Sequence, residues 1–242
     1  MRWPRIPRRR ANEEDADGNG DLVDELTRAR RRMVAEQLEA RGIGDKELLE
    51  AFRTVPRHAF VEGEDAYGDH ALPVGAGQTI SQPYVVARMT QAARPAGPMG
   101  WQGANVLEIG TGSGYQAAIL AELGANVTTI ERHADLAAGA RARLDNAGYR
   151  EDRVRIQVGD GTEGWPAGGP YRSIMVTAGG PSVPQPLLEQ LDPEAGRLIM
   201  PVGDRHHQYL TLVERHGREL HSTELEPVVF VPLIGRFGLG EG

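Results

Sequence analysis

Gly110, Gly112 and Gly114 alternate through LEIGTGSGY, between one short apolar run and the start of another. A tight turn of bare backbone between a strand and a helix lets a ligand lie directly against the main chain. About twenty residues on, Glu131 ends the next apolar run, where a carboxylate can hold ribose hydroxyls. Asp160 and Gly161 close a third run and bring another carboxylate to the same edge. Ligands of open α/β sheets bind outside the carboxyl ends of the strands, and these features converge there.

The ligand can be narrowed further. The dinucleotide fingerprint G-x-G-x-x-G calls for a glycine where this sequence has Tyr115. Glu108, beside the turn, would repel a pyrophosphate, but not the cationic amino group and sulfonium of S-adenosylmethionine. The set Glu108, Gly110, Gly112, Gly114, Glu131, Asp160 and Gly161 is therefore expected to bind S-adenosylmethionine and release S-adenosylhomocysteine.

Alternating elements must position these residues. Apolar runs predict strands at Asn105 to Ile109, Val127 to Ile130, Val154 to Val158, Ile174 to Val176 and Arg197 to Met200. Helices are predicted between them at Tyr115 to Leu123, His133 to Ala147 and Pro186 to Leu191. Two late strands, near Tyr209 to Val213 and Val228 to Val231, enclose a turn at His216 and Gly217. The pattern predicts a parallel sheet covered by helices, with an antiparallel hairpin at one end. Upstream, Leu22 to Leu38 recur at helical spacing up to Gly42, and Asp45 caps a second helix ended by Pro56. The stretch from Arg57 to Pro83 has no periodicity, and long irregular segments in compact domains are usually functional. A helix is expected over Tyr84 to Ala93, then a linker over Arg94 to Gly103. This divides the chain into an unstructured leader (1–21), N-terminal helices with the irregular loop (22–95) and the cofactor core (96–242), with 22–242 forming one compact unit.

Composition excludes several classes. The chain has 242 residues, no cysteine and a formal net charge of −7, so disulfides and thiolate chemistry are ruled out. The acidic balance argues against a nucleic-acid partner, and no apolar run is long enough for a membrane span. A cytoplasmic monomer is expected. His206 and His207 are adjacent, and adjacent strand residues face opposite sides, so no metal site is expected.

The irregular segment contains GQTISQP, residues 77–83, whose residue types also suit an ordinary solvated turn. Together with RMVAEQLEARGI, VPRHAFV, VLEIGTGSGYQAAILAEL, ERH, GDGTEGW and VVFVPLIG, however, it makes the chain resemble one family, from about Arg32 to Gly235. That family is the protein-L-isoaspartate (D-aspartate) O-methyltransferases. The resemblance implies a Rossmann-like class I S-adenosylmethionine-dependent methyltransferase fold, with an N-terminal helical addition and C-terminal antiparallel strands. It implies methyl transfer to the α-carboxyl of L-isoaspartyl residues in damaged proteins and peptides. The family's catalytic serine falls on Ser81, with Thr79 and Ile80 at the same lip. Substrate contacts are expected at Ile80, Tyr84, Val86, His206 and Gln208, although core packing is the better account of the valine. Tyr67 and Asp69 match positions near the substrate groove or form a structural turn. Arg172 stands where the family usually has an acidic residue, a change expected to alter local surface charge only. An alternative within the same chemistry is a pathway enzyme that methylates a normal aspartate in a ribosomally made peptide and drives aspartimide formation.

Overall fold

In the computed structural model, residues 16–61, 63 and 65–240 are described. The expected leader lies outside them up to residue 15. The first helix, α1, already begins within its last residues and spans Ala16–Arg32. It continues as a π-helical turn (Met33–Leu38) and a 3-10 turn that Gly42 ends at φ +90°. α2 (Lys46–Thr54) is capped as expected, with the Asp45 carboxylate accepting the Glu47 and Leu48 amides. The irregular segment hides a small hairpin, β1 (Leu72–Gly75) and β2 (Gln78–Ile80), ahead of α3 (Pro83–Ala92).

The main sheet has seven strands in the order β5-β4-β3-β6-β7-β8-β9. β3 (Asn105–Ile109), β4 (Asn126–Glu131), β5 (Val154–Val158), β6 (Ser173–Val176) and β7 (Arg197–Gly203) run parallel, with α4 (Tyr115–Glu122), α5 (Ala134–Asn146) and α6 (Gln185–Glu189) between them. β8 (Gln208–His216) and β9 (Glu219–Val228) add an antiparallel hairpin. The last strand therefore lies earlier than the sequence predicts, and Val229 to Val231 leave the sheet. β9 is a polar, largely exposed edge strand, so it lacks the apolar alternation that would have marked it.

Two apolar layers sandwich the sheet. One joins Phe52, Phe60, Trp101, Val106, Tyr115 and Ile119 into a single core, so the N-terminal helices pack directly on the cofactor half. The other contains Leu107, Ile109, Ile174 and Leu198. Neighbouring residues of β3 thus face opposite layers, as the pleat requires. The expected linker is packed rather than loose: Trp101 is buried, and Arg172 donates to the Ala96 carbonyl at 2.8 Å. The basic residue at that departure from the family pattern therefore ties down the 94–103 segment.

Candidate active site

β3 lies between β4 and β6, and the chain winds away from it in opposite directions. Such a switch point opens a crevice at the carboxyl ends of the strands. Gly110 and Gly112 fill that end with φ of +94° and +53°. A Cβ on Gly110 would overlap the Thr177 hydroxyl, which donates to the Ile109 and Gly110 carbonyls. A Cβ on Gly112 would meet no protein atom, so the space beside it is left to a ligand. Gly114 works differently. It caps α4 in a left-handed conformation, packed under Leu144.

Glu131 is locked to this turn. Its Oε2 accepts the Gly112 amide and its Oε1 the His133 amide, both at 3.0 Å. Each carboxylate oxygen keeps a lone pair for a ligand hydroxyl. Gly110, Gly112, Glu131, Gly161, Thr79 and Thr177 all line one cavity, which Val231, Leu233 and Ile234 roof. Bare backbone, a carboxylate and an apolar roof suit the sugar, base and amino-acid parts of S-adenosylmethionine.

Glu108 does not line that cavity. It is fully buried on the Val106 face of β3, opposite Thr129 and Met175 in register. Burial pushes its pKa up to about 8; the Thr129 hydroxyl opposes the shift and the Glu131 charge adds to it. Outside the cavity and held toward its neutral form, Glu108 does not present the charge beside the turn that the sequence suggests.

Asp160 follows β5 and caps a 3-10 turn. Its Oδ1 accepts from the Thr162 amide (2.8 Å) and hydroxyl (2.7 Å), and its Oδ2 accepts the Arg236 amide. The Thr162 hydroxyl in turn accepts the Phe237 amide at 3.1 Å. Burial alone would raise the Asp160 pKa, but the amides of Arg236 and Thr162 and the Thr162 hydroxyl outweigh it and hold the carboxyl below its usual range. A shallower depression lined by Arg132, Asp160, Ile234 and Gly235 continues from the main cavity.

The second half of the site is a groove. Ala71, Thr79, Ser81, Gln82 and Val85 form one wall, and residues 227–231 the other. It shares Thr79, Thr177 and Val231 with the cofactor cavity, so the two spaces meet there. The β1–β2 hairpin presents this wall through successive positive-φ residues at Gly75, Ala76 and Gly77. Strand alternation turns Ile80 into the core and leaves Thr79 exposed toward the groove. None of the groove-lining side chains among the described residues is charged.

Of the expected substrate contacts, Ile80 and Val86 are buried core residues and line neither space. Tyr84 lies under the Arg41 guanidinium, 3.6 Å from its ring centroid. His206 is exposed in the turn before β8 rather than on a strand, where Asp204 accepts its amide and that of His207. Gln208 is buried and clasps Phe230: its Oε1 accepts the Phe230 amide at 2.8 Å. It shapes the groove wall from behind. Tyr67 bonds His58, and Asp69 pairs with Arg41, which makes both parts of the loop's own structure. Apart from a polar residue ending an apolar strand, the sequence gives no sign of Thr177 in the lining, and none of Val229 or of Arg57, whose buried guanidinium donates to the Ser81 carbonyl at 2.8 Å.

Among the described residues no group of three or more metal-ligating side chains occurs, and no helix is long and apolar enough to cross a membrane. The family model for protein-L-isoaspartate(D-aspartate) O-methyltransferase matches residues 29–238. A protein-L-isoaspartate O-methyltransferase of Syntrophobacter fumaroxidans is 51% identical over 214 residues, covering 87% of this chain and 96% of its own. One from Methanoculleus marisnigri is 50% identical, over 89% and 96%. A solved protein-L-isoaspartate O-methyltransferase superposes with a TM-score of 0.75 at 26% identity, covering 86% of this chain and 67% of that one. A Plasmodium falciparum structure in complex with S-adenosyl-L-homocysteine shares the fold, with a TM-score of 0.72, 23% identity and coverage of 85% and 98%. With the match running from the N-terminal helices through the glycine turn and groove to the C-terminal roof, the chain belongs to the protein-L-isoaspartate (D-aspartate) O-methyltransferase family.

Proposed function

We propose that this protein transfers a methyl group from S-adenosylmethionine to the α-carboxyl of L-isoaspartyl residues in damaged proteins and peptides, initiating their repair. The observation that carries this reading is the meeting of the two spaces at Thr79, Thr177 and Val231, with Ser81 on the uncharged side. When bound, the cofactor supplies a sulfonium methyl carbon that an ionised carboxylate oxygen takes, sulfur leaving as a neutral thioether with no proton changing hands.

The residues then have simple tasks. Gly110, Gly112, Glu131 and Gly161 contact the cofactor, while Glu108, Gly114 and Asp160 shape its surroundings. Ser81, with Thr79 beside it, orients the substrate carboxylate through a neutral hydroxyl. A carboxylate is already ionised near neutral pH, so no general base is needed. An uncharged donor leaves the oxygen nucleophilic, whereas a salt bridge would quench it. Alignment and water exclusion supply the rate, an effect worth roughly 7–11 kcal/mol in favourable cases. The reading extends to residues 22–242 as one working unit and to a cytoplasmic monomer.

The test is an assay with labelled S-adenosylmethionine and matched isoaspartyl and aspartyl peptides. Methylation of the isoaspartyl peptide is expected. Labelling of only the normal aspartyl peptide would overturn the repair reading in favour of an aspartimide-forming peptide enzyme, which no observation presently favours.

A further inference from the structure

Arg57 opens the 3-10 turn Arg57–Ala59 and is completely buried. No carboxylate among the described residues pairs with it. Its Nε donates to the Ala66 carbonyl at 2.9 Å, and its Nη2 to the Ser81 carbonyl at 2.8 Å. Its carbon Cζ stands 5.0 Å from the centre of the Tyr115 ring, at the first residue of α4 after the glycine turn. One guanidinium thus touches the loop before β1, the serine at the groove and the helix that follows the cofactor turn.

Ser81 has little else to hold it. β2 ends at Ile80, whose register partner is Leu72, and α3 starts at Pro83. No backbone amide among the described residues reaches the Ser81 carbonyl, so Arg57 is its partner. Burying a cation is costly unless hydrogen bonds compensate, and among the described residues the compensation is two carbonyls, with no partner there for Nη1. A neutral side chain of similar length would fill the same space more cheaply. The charge is therefore better explained by what it fixes than by packing.

We propose that Arg57 is a positioning residue for methyl transfer, holding the Ser81 backbone from behind so that the Ser81 hydroxyl keeps one direction toward the groove. This rests on the reading of Ser81 given above. The rigid fork matters because its two bonds diverge toward separate segments. A lysine, with one compact ammonium, cannot span both carbonyls in the same geometry. Arg57 stays out of the groove itself and leaves the substrate carboxylate unquenched.

The experiment is a double-mutant cycle of Arg57→Lys and Ser81→Ala in the full chain, with kcat counted per S-adenosylhomocysteine-binding site so that misfolded protein drops out. Arg57→Lys alone is expected to lower kcat about tenfold, with the peptide KM and S-adenosylhomocysteine affinity little changed. In the Ser81→Ala background the same substitution should change kcat less than about twofold. Equal losses in both backgrounds would show a general structural role and overturn the proposal, as would no loss in either. If Ser81→Ala itself leaves kcat intact, the reading of Ser81 fails first, and a tenfold loss from Arg57→Lys would then belong to another group. Should Arg57→Lys bind no cofactor product, Arg57→Ala supplemented with methylguanidinium supplies the second measurement. Restored kcat with serine present but not with alanine supports the proposal, and restoration in both or neither overturns it.

Discussion

The Asp160 carboxylate accepts the backbone amide of Arg236 at 2.7 Å, across 76 residues of sequence. That bond fastens the segment whose earlier part, Val231 to Ile234, roofs the cofactor cavity. The same segment forms one wall of the groove at Val229 to Val231. One carboxylate therefore ties the cofactor end of β5 to the surface that faces the substrate.

Asp160→Asn should loosen this tie. The side chain keeps an acceptor but loses the charge that strengthens its bonds to the two amides. Cofactor-product affinity is expected to fall about tenfold, and proteolysis should begin within residues 235–240, read by mass spectrometry. The Asp160 pKa is held low in the native state. Its stabilisation is therefore present above the unfolded carboxyl value of about 3.9 and is lost as pH falls through the native value below that. An acid-unfolding profile identical in the variant would refute this account.

Glu108 predicts the opposite pH trend. Its native pKa near 8 lies above the unfolded value of about 4.3, so the folded state holds the proton longer. Stability must then decline as pH rises through that window, because the native state binds more protons than the unfolded one. Glu108→Gln, neutral at every pH, should match the wild type near pH 4.5 and exceed it by pH 9 in denaturant melts of the free protein. Parallel profiles would show that the buried carboxyl has found compensation.

Ser81→Ala isolates the orienting hydroxyl. The methyl that remains fits the same half-exposed position, and the Arg57 bond goes to the backbone, which is unchanged. Losing one hydrogen bond to a charged oxygen should cost about ten- to a hundredfold in kcat. S-adenosylhomocysteine titration should give an affinity close to wild type, because Ser81 does not line that cavity. Equal loss of binding and rate would move Ser81 into the cofactor pocket.

Much of this was readable in sequence wherever one local rule sufficed. β3 and β5 fall on their predicted bounds because short apolar runs end at glycine or aspartate. Gly110, Glu131 and Asp160 follow from strand ends meeting at one edge. β1 and β2 were hidden because strands of three or four residues carry too little alternation to see. The sequence puts Glu108 beside the turn and the ligand, yet the pleat turns it inward; its direction depends on which neighbours cover β3. Arg57 was invisible for a similar reason. Its partners, Ala66 and Ser81, are backbone carbonyls brought near by tertiary folding, and no side-chain pattern records them.

Val229 tests what the groove excludes. It is 73% exposed and belongs to the wall opposite Ser81, so a substitution there should leave the fold intact. Among the described residues the lining carries no charge, and the substrate carboxylate is an anion near neutral pH. Val229→Asp would add a carboxylate beside it, and like charges at short range repel. The peptide KM should rise about tenfold at low ionic strength, with S-adenosylhomocysteine affinity unchanged. Exposed charges are screened within about 10 Å at 0.1 M salt, so the penalty should shrink as salt is added. Val229→Asn separates charge from shape: it is polar and similar in size, and should raise KM much less with no salt dependence. If the asparagine and aspartate variants behaved alike, apolar contact at Val229, rather than the groove's neutrality, would govern peptide binding.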